Sequence, residues 1–245
     1  MRRAAAIILL LLAAAPAHAA EPLIADLTSH LINITAGFSG ANVVLFGATD
    51  GPGDVVVIVR GPPHDTVVRK KTRVAGIWIN TRQEIFAGVP SYYAVYSSRP
   101  LDQVASPAML SRQQIGVASL RFGAIDSRRT PEQLEEFRDA LIRDRQRQRL
   151  FTDEAGGFNF LSDRLFHVTI AVPTNVPTGS YLVQVFLVRN QAIVSGQTTP
   201  LIVSQAGVDA DVYDFANRQS LLYGMIAAVG AAIAGWLASL PFRNA

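Results

Sequence analysis

The sequence predicts a mainly β protein: one enlarged immunoglobulin-like β-sandwich with a single inserted α-helix, followed by one C-terminal transmembrane helix. Three observations carry this. Short β-branched runs of period two recur between Gly, Pro and Asp turn clusters, the pattern of an all-β sandwich. Only RRTPEQLEEFRDALIRDRQRQRL combines helical spacing with helix caps in the body of the chain. Near the end, LLYGMIAAVGAAIAGWLASL, Leu221 to Leu240, runs 20 residues without a charge, enough at 1.5 Å per residue for a hydrocarbon core of roughly 30 Å.

The elements follow in chain order. MRRAAAIILLLLAAAPAHA has a charged start (Arg2, Arg3), an apolar stretch (Ala4 to Ala15) and the small-x-small site Ala17-His18-Ala19. That is a cleavable export signal. The mature chain then begins at Ala20. ANVVLFGA (Ala41 to Ala48) and DVVVIVRG (Asp54 to Gly61) read as strands joined by Asp50-Gly51-Pro52-Gly53. VVRKKTRV, GIWIN, IFAGV and SYYAVYS follow, with Gly88 and Pro90 as breaks. Thr66 to Val74 reads as an exposed edge strand, because its cations would be costly inside a sheet and resist unwanted pairing at an edge. Alternation puts Arg69, Lys71 and Arg73 on one face and Lys70 on the other.

The inserted helix, about residues 130–150, starts with Thr130 as N-cap, Pro131 at N1 and Gln133 at N3. Acidic residues crowd its first half, and Arg143, Arg145, Arg147 and Arg149 crowd its last, matching the macrodipole. Leu134, Phe137 and Leu141 give it a docking stripe. LFHVTIAV (Leu165 to Val172), SYLVQVFLV and AIVSGQTTPLIVS then read as strands, the last two joined at Asn190-Gln191. SYLVQVFLV is apolar on both faces, so it is expected to be a central strand covered on each side. Combining strands before residue 100 with those after 157 gives one sandwich. Two small sandwiches are the alternative, although residues 158–207 supply only about four strands.

The predicted organisation is therefore a signal at 1–19, a β domain at 20–207, a juxtamembrane segment at 208–220, a transmembrane helix at 221–240 and a tail at 241–245. Asp209, Asp211 and Asp214 before the span and Arg243 after it orient the tail inward, in weak accord with the positive-inside bias. Within the span, Leu222, Ile226, Val229 and Ile233 fall on one side. Ala227, Ala231, Gly235 and Ser239 repeat at four-residue spacing on the other, a packing face for a second helix.

Chemistry is sparse. Losing Arg2 and Arg3 with the signal takes the 22 basic residues to 20 against 19 acidic ones, which argues against a nucleic-acid partner. There is no cysteine, so the exported domain is stabilised without disulfides. No GxSxG, HExxH, Walker or GxGxxG pattern occurs, and His30, His64 and His167 lack ligand spacing. The expectation is that the chain is not an enzyme and uses no cofactor and no metal. Arg69, Lys71, Arg73, Arg143 and Arg147 remain as contacts for an anion, a lipid headgroup or a partner.

The segments VVLFGA, VVVIVRGP, VVRKKTRVAGIWIN with VPSYYAVYSS, LFHVTIAVPTNVPTGSYLVQVFLV and LLYGMIAAVGAAIAGWLA resemble the putative transmembrane protein family of alphaproteobacteria. The resemblance spans almost the whole mature chain. It implies a periplasmic β-rich domain at the cell inner membrane, with the C-terminus cytoplasmic, and neighbourhoods that encode sulfite-exporter-type permeases. It brings no catalytic residue. The function expected is a membrane-anchored periplasmic accessory protein that works with an integral-membrane partner such as an anion permease, or pairs with itself through the helix. The alternative is a periplasmic anion-binding or motif-free enzymatic domain on a simple anchor.

Overall fold

The structure, a computed structural model, describes residues 22–74, 76–125, 128–155, 157–206 and 215–239. The signal segment 1–19, Asp209, Asp211, Asp214, Leu240 and Arg243 lie outside the described residues.

Thirteen strands form three sheets among the described residues. The first carries β1 (Leu23–Leu27), β3 (Ala41–Thr49), β11 (Leu165–Val172) and β10 (Phe158–Phe160), in that order. The second runs β2 (Leu31–Ile34), β13 (Ala192–Gln205), β12 (Gly179–Arg189), β4 (Asp54–Arg60), β7 (Tyr93–Ser97), β9 (Phe151–Ala155). The third, smaller sheet is β5 (Pro63–Val74), β6 (Ile77–Pro90) and β8 (Gly123–Ala124). Most neighbours are antiparallel, but β2 pairs parallel with β13 and β7 parallel with β9.

The first two sheets face each other. Leu23, Ala25 and Leu27 of β1, Val43 and Leu45 of β3, and Phe166, Val168 and Ile170 of β11 are buried inward. Across from them lie Val55, Val57 and Val59 of β4, opposite Leu187, Val185 and Val183 of β12. Polar ties cross the gap. Gln197 of β13 exchanges two 2.8 Å hydrogen bonds with the Ala25 backbone, and the Ala171 amide donates to Tyr96 Oη at 3.1 Å. Gly47 is required by one close approach: a Cβ there would sit 2.5 Å from the Phe166 ring.

A third layer covers the far side of β4, β7 and β9. It consists of α1 (Leu101–Val104), α2 (Pro107–Gln113), a 3-10 turn (Val117–Ser119) and α3 (Pro131–Arg147), with the base of the β5–β6 hairpin. Ring contacts run from Tyr93 to Phe151 (6.1 Å), on to Phe122 (6.5 Å) and then to Phe86 of the hairpin (6.3 Å). The hairpin is an insertion between β4 and β7, clamped where Gly61 N–H donates to Tyr92 O at 2.8 Å and Ser91 N–H to Pro62 O at 3.0 Å. The two backbones meet so closely that a Cβ on Gly61 would lie 2.4 Å from Ser91 Oγ.

Four expectations need correction. The fold is mainly β, yet it is not a two-sheet sandwich with one inserted helix, because a third sheet and α1, α2 and the 3-10 turn are inserted as well. The strands covered on both faces are β4 and β7 rather than SYLVQVFLV. The helical layer stops short of the outer face of β12, where Leu182 is 49 % exposed. The basic edge strand begins earlier than Thr66, at Pro63. Lastly, among the described residues no helix is long and apolar enough to cross a membrane, which overturns the transmembrane helix expected at 221–240. The helix at that place is α4 (Ser220–Ser239), with side chains described through Trp236.

The turn into β12 is locked by one hydroxyl. Tyr181 is buried, and its Oη donates to the Pro177 carbonyl four residues upstream, the tyrosine corner of sandwich folds. Burial pushes its phenol up to about 12, so the donor persists through the physiological range. Tyr181→Phe leaves the Pro177 carbonyl without its donor, and chemical denaturation is expected to show a loss of about 1–3 kcal/mol with an unchanged m-value.

Candidate functional site: a basic face built by a helix and a hairpin

The site begins with how α3 docks. Thr130 Oγ1 accepts the Gln133 amide at 3.5 Å and Pro131 opens the helix. Phe137 and Leu141 of the expected stripe are buried, while Leu134 is half-buried. Two arginines fix the first half of the helix. Arg129 lies over the Phe137 ring at 4.9 Å and reaches the buried Glu84 carboxylate of β6 at 2.7 Å. Arg138 donates to the carbonyls of Ala118 (2.8 Å) and Leu120 (2.9 Å) and pairs with Glu135 at 2.7 Å. A helix held this way presents its C-terminal arginines outward.

β5 runs past α3 as the edge of its sheet, as its charge pattern predicts. Lys70, the cation facing away from the other three, meets Glu136 of α3 at 2.5 Å. That contact lowers the Glu136 carboxyl from its ordinary value through the Lys70 hydrogen bond first and its charge second. Arg69 lines two adjoining grooves, the smaller of which includes the contact. The smaller, about 200 Å³, also has Val68, Ala140 and Arg143. The larger, about 490 Å³, has Thr66, Asp144, Arg145 and Arg147. Arg147 also reaches a third, more open cleft of about 600 Å³, with Asn42, Gln148, Arg149 and Asn175.

The five candidate cations therefore do not converge. Arg69 shares one groove with Arg143 and another with Arg147, whereas Lys71 and Arg73 sit farther out on the hairpin. Arg73 Nε donates to Gly76 O at 3.2 Å across the hairpin end. Sequence reasoning missed Asn42 and Asn175 in the cleft. Asn175 donates to the Gln148 carbonyl at 3.1 Å, a pairing of distant residues that no local pattern reveals. Gly235 of the proposed packing face has nothing within 4 Å of where a Cβ would be, and the Ser239 side chain lies outside the described residues.

Acid–base groups are used structurally. Arg60 donates to the Gln113 carbonyl at 2.9 Å and lies 5.8 Å from the Tyr93 ring. Tyr93 Oη donates to Gln114 O at 2.8 Å and accepts the Gly116 amide at 3.0 Å. Desolvation raises the Tyr93 phenol far above its ordinary range. Asp153 accepts the Val117 amide on both oxygens, at 2.9 and 3.0 Å. These bonds pin the α2 to 3-10 segment over β7 and β9. Among the described residues no group of three or more His, Cys, Asp or Glu could hold a metal. The three histidines have separate neighbours, Asp26 for His30 (2.9 Å), Arg145 for His64 (3.2 Å) and Asn159 for His167 (3.2 Å).

A family described as "Putative transmembrane protein" matches residues 22–244. The chain belongs to that family. No curated protein and no solved structure matches the chain. Family membership associates the chain with membranes and assigns no role to any residue named above.

Asp153 gives this region a pH signature. Burial raises its carboxyl above the ordinary value of 3.8, partly offset by the Val117 amide. A carboxyl raised on folding favours the folded state while protonated. Its contribution is complete below the unfolded pKa and is lost as pH rises through the folded one. Asp153→Asn keeps an acceptor for Val117 and removes the charge. The variant should therefore gain in melting temperature over the parent as pH rises above about 4; a difference constant with pH would show that Asp153 is ionised without cost.

Proposed function

We propose that this chain is a membrane-associated interaction module: a rigid, non-enzymatic β domain on the periplasmic side of the inner membrane that works with an integral-membrane partner such as an anion permease. The observation that carries the proposal is where the exposed apolar surface lies. The sandwich leaves single apolar side chains on its outer faces, such as Ile24, Phe46 and Leu182, while α4 concentrates them, with Leu221 at 84 % exposure and Ile226, Val229, Ile233 and Trp236 around its circumference. A helix that is apolar on every side requires apolar surroundings from outside its own chain. Membership of the family supports association with a membrane, and the leader-like residues 1–19 support export.

A second reading is favoured by the cleft beside Arg147 and Arg149. Two exposed guanidiniums next to Asn42, Gln148 and Asn175 offer donors suited to a small oxyanion, so an anion ligand of the module or of its partner would fit there.

Membrane association is tested by fractionation. The full chain should float with phosphatidylcholine vesicles, which carry no net charge, in a density gradient, and a chain ending at Ala206 should stay at the bottom with its β circular-dichroism signal intact. A full chain that remains soluble without detergent contradicts the proposal.

A further inference from the structure

The β5–β6 hairpin has two unlike halves. Its base is packed: Phe86 and Val89 are buried, and Glu84 is paired with Arg129. Beyond Lys70 the side chains described on both strands, through Arg82, are all exposed. The ladder nevertheless continues there, with Thr72 opposite Ile79, Arg73 opposite Trp78 and Val74 opposite Ile77. The arm from Lys70 to Val74 carries its end about 13 Å beyond the α3 contact, at roughly 3.3 Å per residue.

The order of chemistry along this arm is specific. At its end Ile77 and Trp78 are 68 % and 66 % exposed, with Val74 and Ile79 beside them. Just behind stand Arg69, Lys71, Arg73 and Arg82, all exposed, and the whole stretch 66–83 contains no acidic residue. Lys70 alone of these cations is paired with a carboxylate in another element, Glu136. Edge protection explains charges along β5, but it does not explain a tryptophan and three aliphatic side chains presented at the far end. A water-facing turn would carry polar residues there.

We propose that this hairpin end inserts into the interfacial layer of an anionic lipid bilayer. Trp78, Ile77, Val74 and Ile79 enter the boundary between headgroups and acyl chains, where an indole is favoured. Arg69, Lys71, Arg73 and Arg82 form a collar at the phosphate level, with long stems that keep charge in the headgroups while the end goes deeper. The hairpin thereby adds a second, charge-selective contact that holds the β domain at a fixed height on the surface. This rests on the membrane-associated reading above and extends it to a lipid class and to named residues.

Trp78 reports its own surroundings once Trp236 is changed, because the chain has two tryptophans. The full chain carrying Trp236→Phe is incorporated into vesicles of phosphatidylcholine, with or without phosphatidylglycerol, and flotation is measured in parallel. With phosphatidylglycerol, Trp78 emission should shift to the blue, be quenched by brominated acyl chains and be shielded from aqueous iodide. Without it, brominated-lipid quenching should fall at least about twofold. Arg69→Gln, Lys71→Gln and Arg73→Gln together should bring the same loss with an unchanged melting temperature. If the protein floats while Trp78 stays open to iodide in both vesicles, the hairpin proposal is overturned and the membrane-associated reading stands. Failure to float overturns both. A blue shift that grows with protein concentration in mild detergent, before vesicles are added, assigns the hairpin end to a second copy and overturns the lipid proposal.

Discussion

Val55, Val56, Val57, Ile58 and Val59 are each no more than 1 % exposed, on both faces of a strand inside the six-stranded sheet. Burying five such side chains contributes roughly 10 kcal/mol as an upper figure, and it requires protein on both sides of β4. On one side the four-stranded sheet meets Val55, Val57 and Val59. The chain from Tyr93 through Phe151 and Phe122 to Phe86 ties the other side to the helices and the hairpin base. The two long insertions, residues 61–92 and 98–150, thus serve the core as well as the surface. Each starts and ends on strands paired around β4, so its outer part can project without disturbing the sandwich.

That division separates rigid from adaptable structure. The tyrosine corner at Tyr181, the Gly61 clamp and the Glu84–Arg129 pair all lie where an insertion or turn leaves the body. Past them, the distal hairpin and α4 have almost no packing within the chain. Surfaces drawn from the weakly packed end of a molecule are the ones free to meet a partner. The cations of β5 and the arginines of α3 illustrate the point: Lys70 is spent on Glu136, while Arg69, Arg143 and Arg147 are left facing solvent in grooves.

Local patterns made much of this legible. Period-two runs mark β3, β4, β11, β12 and β13 to within a residue or two of their ends. Asn190 and Gln191 adopt φ of 50° and 61°, as the turn between β12 and β13 requires. Thr130 caps α3 where its spacing says it should. What stayed hidden is set by distant pairing. The parallel partnerships of Leu31 with Ile202 and Tyr93 with Phe151 join segments far apart in the chain. SYLVQVFLV looks doubly covered because Leu182 and Phe186 are apolar, yet cover depends on where other segments fall. Of the candidate site, the cations and the edge character of β5 were legible. Their division among three grooves was not, since it follows from which distant segments meet α3, such as β5 at Arg69 and the loops at Asn42 and Asn175.

The central claim is that doubly covered β4 is the last part of the fold to open and that the distal hairpin is held only by its own ladder. Native-state hydrogen exchange on the full chain tests it most directly. The amides of Val55 to Val59, with those of Val183, Val185 and Val95, should exchange only through global unfolding, whereas amides between Lys71 and Arg82 should exchange orders of magnitude faster despite being paired. Equal protection in the two regions, or exchange in β4 ahead of the outer strands β1 and β10, would contradict the account.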